Sequence, residues 1–144
     1  MSITTHQIEL VQSSFKQVAA MPEQVAELFY SRVFEIAPQV KPLFAQSDMT
    51  QQGRKLMQML SVAVNSLNNI GTIVPAVKEL GARHVDYGVT NEMYDVVGQA
   101  LLWTLEQGLG NAFTEDVKEA WTNVYIILSE TAIAGANEAL AQSE

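Results

Sequence analysis

Apolar residues recur at spacings of three and four along almost the whole of this chain, and that single period restricts it to an all-α fold. Thr4-x-x-Gln7 reads as a capping box, and Ile8, Val11, Phe15 and Val18 then fall on one stripe of a first helix. Pro22 suits the first turn of a second helix, where its missing N–H has no intrahelical partner to lose. That helix carries Val25, Leu28, Phe29, Tyr30, Val33, Phe34 and Ile36; being apolar on most sides, it is expected at the centre of the fold. Pro38 and Pro42 allow only a short helical turn before Leu43 and Phe44. A polar link, Ala45 to Asp48, leads into a third helix predicted over about Met49 to Asn69, with an inward stripe of Gln52, Leu56, Met59, Ala63 and Leu67 and an end at Gly71.

The next helix is predicted through Pro75 to about Val85, with Val77, Leu80 and His84 on one face. Thr90 caps a further helix to about Leu109, closed by Gly108-Leu-Gly110-Asn. The last helix starts at Thr114, places Glu115 and Asp116 where the helix dipole favours acids, and carries the stripe Val117, Trp121, Val124 and Leu128. Val124 to Leu128 holds good strand formers, but the helical pattern around it runs without a breaker, so helix prevails. Asn137 to Glu144 are expected to fray. With no internal repeat, low-complexity run or linker, residues 1–144 are expected to form a single domain.

Composition narrows the class of function. The chain is 48% apolar and 17% charged, with the apolar residues spread along it, which is globular composition. A formal charge of −8 argues against a nucleic-acid footprint or an anionic membrane surface, since both require a clustered positive face. No stretch approaches a membrane span, and the opening MSITTHQIEL is too polar for a signal peptide, so the expected address is the cytoplasm. The absence of cysteine removes disulfides, thiolate metal sites and any thioether-attached pigment.

Conventional catalysis finds little support. His6 and His84 are the two histidines, far apart, and His6 reads as exposed, so neither a Cys-His pair nor a multi-histidine metal site can be assembled. No glycine-rich phosphate loop, HExxH or calcium loop is present. A helical protein with one inward histidine suits an iron porphyrin, for which a single imidazole is enough and the cofactor brings the reactivity. Spacing alone leaves His84 open between that role and a satisfied core histidine. Between Arg54 and Arg83 the chain holds Arg54, Lys55, Lys78 and Arg83 against Glu79 alone, a local excess of positive charge that fits either an anionic group or ordinary solvated helix faces.

The segments LFYSRVFEIAPQVKPLF (Leu28 to Phe44), QGRKLMQML (Gln52 to Leu60), ELGARHVDYGV (Glu79 to Val89), YDVVGQALL (Tyr94 to Leu102) and FTEDVKEAWTNVY (Phe113 to Tyr125) are each weak singly. In this order, with these separations, they resemble the bacterial single-domain haemoglobins of the globin family. The chain is also similar to neuroglobin and to the haem domains of flavohaemoglobins. The resemblance implies a globin fold packed around one non-covalently bound haem b (iron protoporphyrin IX). It implies His84 as the iron ligand and Phe44 stacked on the porphyrin. The macrocycle would be walled by Leu56, Met59, Leu80, Val89, Tyr94 and Val97, with Lys55, ahead of Arg83, reaching a propionate. Tyr30 and Gln52 fall at the distal positions, where a phenol O–H and an amide N–H each stabilise a bound gas by ~1–3 kcal/mol in a dry pocket.

Glutamine at the gate implies no bis-histidine iron, leaving the sixth position open, held by water, or weakly taken by Tyr30 or Gln52. One departure stands out: where flavohaemoglobins place a glutamate behind the proximal histidine and the tyrosine matched by Tyr94, this chain has Ala136, unless Glu130 or Glu138 substitutes. The expected function is reversible, tight binding of dioxygen, with NO and CO as further ligands. Two alternatives remain open: NO dioxygenation with electrons from a separate reductase, and a haem-free regulatory or structural globin.

Overall fold

The computed structural model describes residues 3–44, 47–86 and 91–142, and among them there is no strand. Among the described residues there are six α-helices: α1 (Thr5–Ala19), α2 (Pro22–Ile36), α3 (Met49–Asn65), α4 (Val74–Asp86), α5 (Asn91–Leu109) and α6 (Glu115–Gln142). Short 3₁₀ segments occupy Pro38–Phe44, Leu67–Thr72 and Gly110–Ala112. Among the described residues no helix is long and apolar enough to cross a membrane.

The helix boundaries follow local chemistry. At α1 the capping box forms, Gln7 N–H donating to Thr4 Oγ1 at 3.1 Å and Thr4 N–H to Gln7 Oε1 at 3.2 Å. Pro22 stands at the start of α2, which buries Val25, Ala26, Phe29 and Val33 against α3 and α5. Asp48 caps α3 through Oδ1, which accepts from Thr50 N at 3.0 Å and Gln51 N at 3.3 Å. Gly110, at φ +54°, takes the left-handed conformation that stops α5. The position expected to cap α5, Thr90, lies outside the described residues.

Three expectations are corrected. First, α3 ends at Asn65, short of Asn69, because the Gln12 side chain of α1 donates to the Val64 carbonyl at 3.0 Å and to Asn68 Oδ1 at 2.9 Å. The chain continues as a 3₁₀ segment with Asn69 off the helical region. Second, α3 buries Gly53, Met57, Leu60, Ala63 and Val64, so the expected stripe holds at Ala63 and is displaced by one residue at the turns before it. Of the expected stripe, Ala63 and Leu67 are buried, Gln52 and Leu56 are half-buried and Met59 is 38% exposed. Third, Asn137 onward does not fray at once: α6 stays helical to Gln142, with Ala136 buried and Glu138 paired to Lys78 Nζ at 3.0 Å.

The core lies where α1, α2, α5 and α6 meet, around Val11, Val18, Phe29, Leu105, Trp121 and Val124. Ser14 is buried within it because its hydroxyl donates to the Leu10 carbonyl at 2.7 Å and accepts from the Trp121 indole N–H at 2.9 Å. α4 lies against α6 rather than in this core. The two helices approach closely enough that a Cβ at Gly81 would run into the Ala132 carbonyl, and one at Gly135 into that of Lys78. That approach fixes how α4 presents its other face to the site.

Candidate functional site

The face of α4 turned from solvent carries Val77 and Leu80, which close a cavity of about 100 Å³ with Leu56 and Met59 of α3, Tyr94 and Val97 of α5 and Leu128 of α6. Of the wall residues named from sequence, Leu56, Met59, Leu80, Tyr94 and Val97 are thus brought together; Val89 lies outside the described residues. A porphyrin is larger than this volume, so admitting one requires the walls to part. Their chemistry suits its flat apolar faces.

His84 is half-buried one turn beyond Leu80, and its Nδ1 donates to the Leu80 carbonyl at 2.6 Å. A carbonyl can only accept, so Nδ1 carries the proton and in the neutral ring Nε2 carries the lone pair, the tautomer suited to binding a metal. The ring faces Tyr94 with centroids 6.3 Å apart. Among the described residues no group of three or more His, Cys, Asp or Glu side chains could hold a bare metal ion. A single imidazole with its lone pair on Nε2 suits a metal that arrives with its other ligands, as in a porphyrin.

Behind His84 the phenol of Tyr94 is the one orphan of the cavity wall: its Oη is buried and has no hydrogen-bond partner among the described residues. Burial pushes its pKa up. Ala136 is buried and supplies no carboxylate, Glu138 is held by Lys78, and Glu130 is exposed. Sequence reasoning missed Tyr125, whose Oη donates to the Tyr94 main-chain oxygen at 2.5 Å. Burial, reinforced by Tyr94 and Asp95, pushes the Tyr125 phenol up as well.

Tyr30, Phe44 and Gln52 form a second group. The Tyr30 ring packs edge-on against Phe29 at 5.1 Å and Phe44 at 5.6 Å, and lies beside Phe34 at 6.4 Å. Its hydroxyl donates to the Gln52 main-chain carbonyl at 3.4 Å, and burial pushes its pKa up to about 12. This group does not line the 100 Å³ cavity. Tyr30 opens on a cleft of about 530 Å³ between α2 and α3. The link between the groups is short: Phe29, next to Tyr30, and Leu56, one turn beyond Gln52, both line the inner cavity.

The positive excess seen in sequence is partly neutralised. Arg83 Nη2 pairs with Glu79 Oε1 at 2.5 Å and Lys78 with Glu138; Arg83, Glu79 and Glu138 are exposed and Lys78 is half-buried. Lys55 is exposed on α3.

The globin family profile matches residues 27–131. A flavohemoprotein of Bacillus subtilis is 27% identical over 139 residues, covering 95% of this chain and 35% of its own length. The chain thus spans about a third of the length of the flavohemoproteins it matches. Neuroglobin-1 of Oncorhynchus mykiss is 27% identical over 139 residues, with 88% of this chain and 87% of its own covered. In fold, a bacterial globin from Campylobacter jejuni aligns with a TM-score of 0.84 at 24% identity, over 94% of this chain and 97% of its own. With the profile running from within α2 to within α6, and the helices tracking a solved globin nearly end to end, this chain belongs to the globin family.

Proposed function

We propose that the chain is a cytoplasmic haem b globin that binds dioxygen reversibly and tightly, with NO and CO as further ligands. Family membership implies a haem cofactor and gaseous ligands. The observation that carries the reading is the bond from His84 Nδ1 to Leu80, which makes Nε2 the lone-pair nitrogen on a helix that walls an apolar cavity.

Haem, when bound, supplies the iron at which a diatomic gas is held. His84 would bind that iron through Nε2 while Leu80 fixes the tautomer. Leu56, Met59, Leu80, Tyr94 and Val97 would exclude water from the macrocycle, with Val89 and Phe44 assigned to the same role by the family resemblance. Tyr30 keeps its proton across the physiological range and, on leaving the Gln52 carbonyl, would offer it to a bound gas, with the Gln52 amide as a second donor. Lys55 is the better choice for a propionate, because Arg83 is already engaged by Glu79.

The flavohemoprotein relatives favour a second reading, conversion of NO and dioxygen to nitrate with one electron from a separate reductase. Sustained nitrate production with a cellular reductase fraction supports it, and a single turnover without cycling rejects it.

The central test is absorbance of the ferric, deoxy and CO-bound protein, repeated for His84→Ala. A Soret band that loses its deoxy and CO signatures in the variant is expected. An unchanged spectrum in His84→Ala, or no Soret band after adding hemin to the parent, overturns the reading.

A further inference from the structure

The cleft between α2 and α3 is larger than the inner cavity, about 530 Å³ against 100 Å³, and the reading above gives it no role beyond its contact with Tyr30. Ala26, Tyr30 and Phe34 line it from α2, Thr50 and Gly53 from α3. The helices touch where Gly53 is buried, for a Cβ there would stand 2.9 Å from that of Ala26. The rim carries Glu23, Glu27 and Arg54, all exposed.

The partition between cleft and inner cavity is thin. Tyr30 and Gly53 face the cleft, while Phe29 and Leu56, their neighbours in the chain and along the helix, face the cavity. Tyr30 is the cleft residue whose side chain bonds across from α2 to α3, and its polar hold there is weak. Its bond to the Gln52 carbonyl, at 3.4 Å, lies at the outer limit for a hydrogen bond, so little is lost when it breaks. Its ring also meets Phe29 and Phe44 edge-on and lies stacked beside Phe34, contacts between rings that a rotation of the side chain can exchange for one another. Rings and small side chains on the floor let a neutral gas pass, whereas the two glutamates at the rim discourage anions. Gln52 itself does not line the cleft, so this path is separate from one past the Gln52 side chain.

We propose that the α2–α3 cleft is the port by which a small apolar gas reaches the inner cavity, and that Tyr30 is its gate. The inference rests on the haem reading above for its consequence, but not for its existence as a path. In the hemin-loaded protein, Ser31→Trp and Thr50→Trp narrow the cleft from its two exposed walls. Each should slow CO association after flash photolysis by about tenfold while leaving CO dissociation alone, as expected when access and not ligand stabilisation is altered. Gln51→Trp, exposed on α3 outside the cleft, should leave both rates at the parental value. Association unchanged in both cleft variants overturns the port. Independently of haem, xenon titrated into the hemin-free parent should shift the methyl resonances of Ala26 and Met49 as well as those of Leu56, and Ser31→Trp should abolish the first two. Xenon shifts at Leu56 without any at Ala26 or Met49 also overturn it. If no variant, and not the parent either, forms a CO complex, the haem reading fails, and the xenon result alone decides the port.

Discussion

Tyr125 of α6 donates its hydroxyl to the main-chain oxygen of Tyr94 in the first turn of α5, 31 residues away in sequence. The ring reaches that far because Gly98 gives it room: a Cβ there would lie 2.8 Å from Tyr125 Cε2. Tyr94 faces His84, so this bond ties the wall behind the histidine to the longest helix.

Replacing Tyr125 by Phe keeps the ring and removes the bond. A net loss of about 0.5–1.5 kcal/mol is expected in urea denaturation. Gly98→Ala should act through the same contact, forcing the Tyr125 ring aside at a cost of about 1–3 kcal/mol. Combining the two should cost less than the sum of the single losses, because both disturb one contact.

Ser14→Ala tests a buried polar pair in the core. Trp121 is 1% exposed, and its indole N–H donates to Ser14 Oγ. Removing the acceptor leaves that N–H buried without a partner, which costs about 1–3 kcal/mol. Urea denaturation followed by tryptophan fluorescence measures it; an unchanged midpoint would show that water reaches the indole.

Alkaline stability follows from the tyrosines. Burial raises Tyr30 from 10.0 to about 12 and raises Tyr94 and Tyr125 in the same direction. The folded chain therefore holds these protons more tightly than the unfolded chain, whose phenols titrate near the ordinary value of about 10. Their contribution to stability is complete below that value and is lost as the pH rises through about 12. The urea midpoint should stay level in this respect up to about pH 9 and decline above about pH 10, and Tyr30→Phe should make the decline shallower. A midpoint as steep in the variant as in the parent would show that Tyr30 is not among the groups responsible.

Much of this was legible from residue types. Thr4, Gln7, Pro22 and Gly110 mark helix ends by local chemistry, and each marks one in the structure. The face of α3 was legible only in part, at Ala63. Gln52, Leu56 and Met59 have the same period as Gly53, Met57 and Leu60, and period cannot tell a face turned to packed helices from one turned to a cavity. The end of α3 was hidden for another reason, since Gln12, 52 residues earlier, competes for the Val64 carbonyl. At the site, residue spacing left His84 undecided, and the family resemblance singled out Tyr30, Gln52 and Tyr94. Tyr125 left no trace, because a side chain bonding to a distant main-chain oxygen imposes no residue type on its partner.

The approach of α4 to α6 yields the last expectation. Gly81 lies three residues before His84, and a Cβ on it would collide with the Ala132 main chain, which cannot swing away as a flexible side chain would. Gly81→Ala must therefore push α4 off α6, carrying Leu80 and the imidazole bonded to it. Stability should fall by about 1–3 kcal/mol, and hemin uptake should weaken together with it. Gly71→Ala is the matched control, because nothing lies within 4 Å of its added Cβ and its φ is not in the left-handed region. There the loss of freedom in the unfolded chain is the dominant effect, and stability should hold or rise by up to about 1 kcal/mol. Equal effects at the two glycines would mean that helix propensity, and not the α4–α6 contact, controls the outcome; a fall confined to Gly81 places the imidazole under the control of that contact.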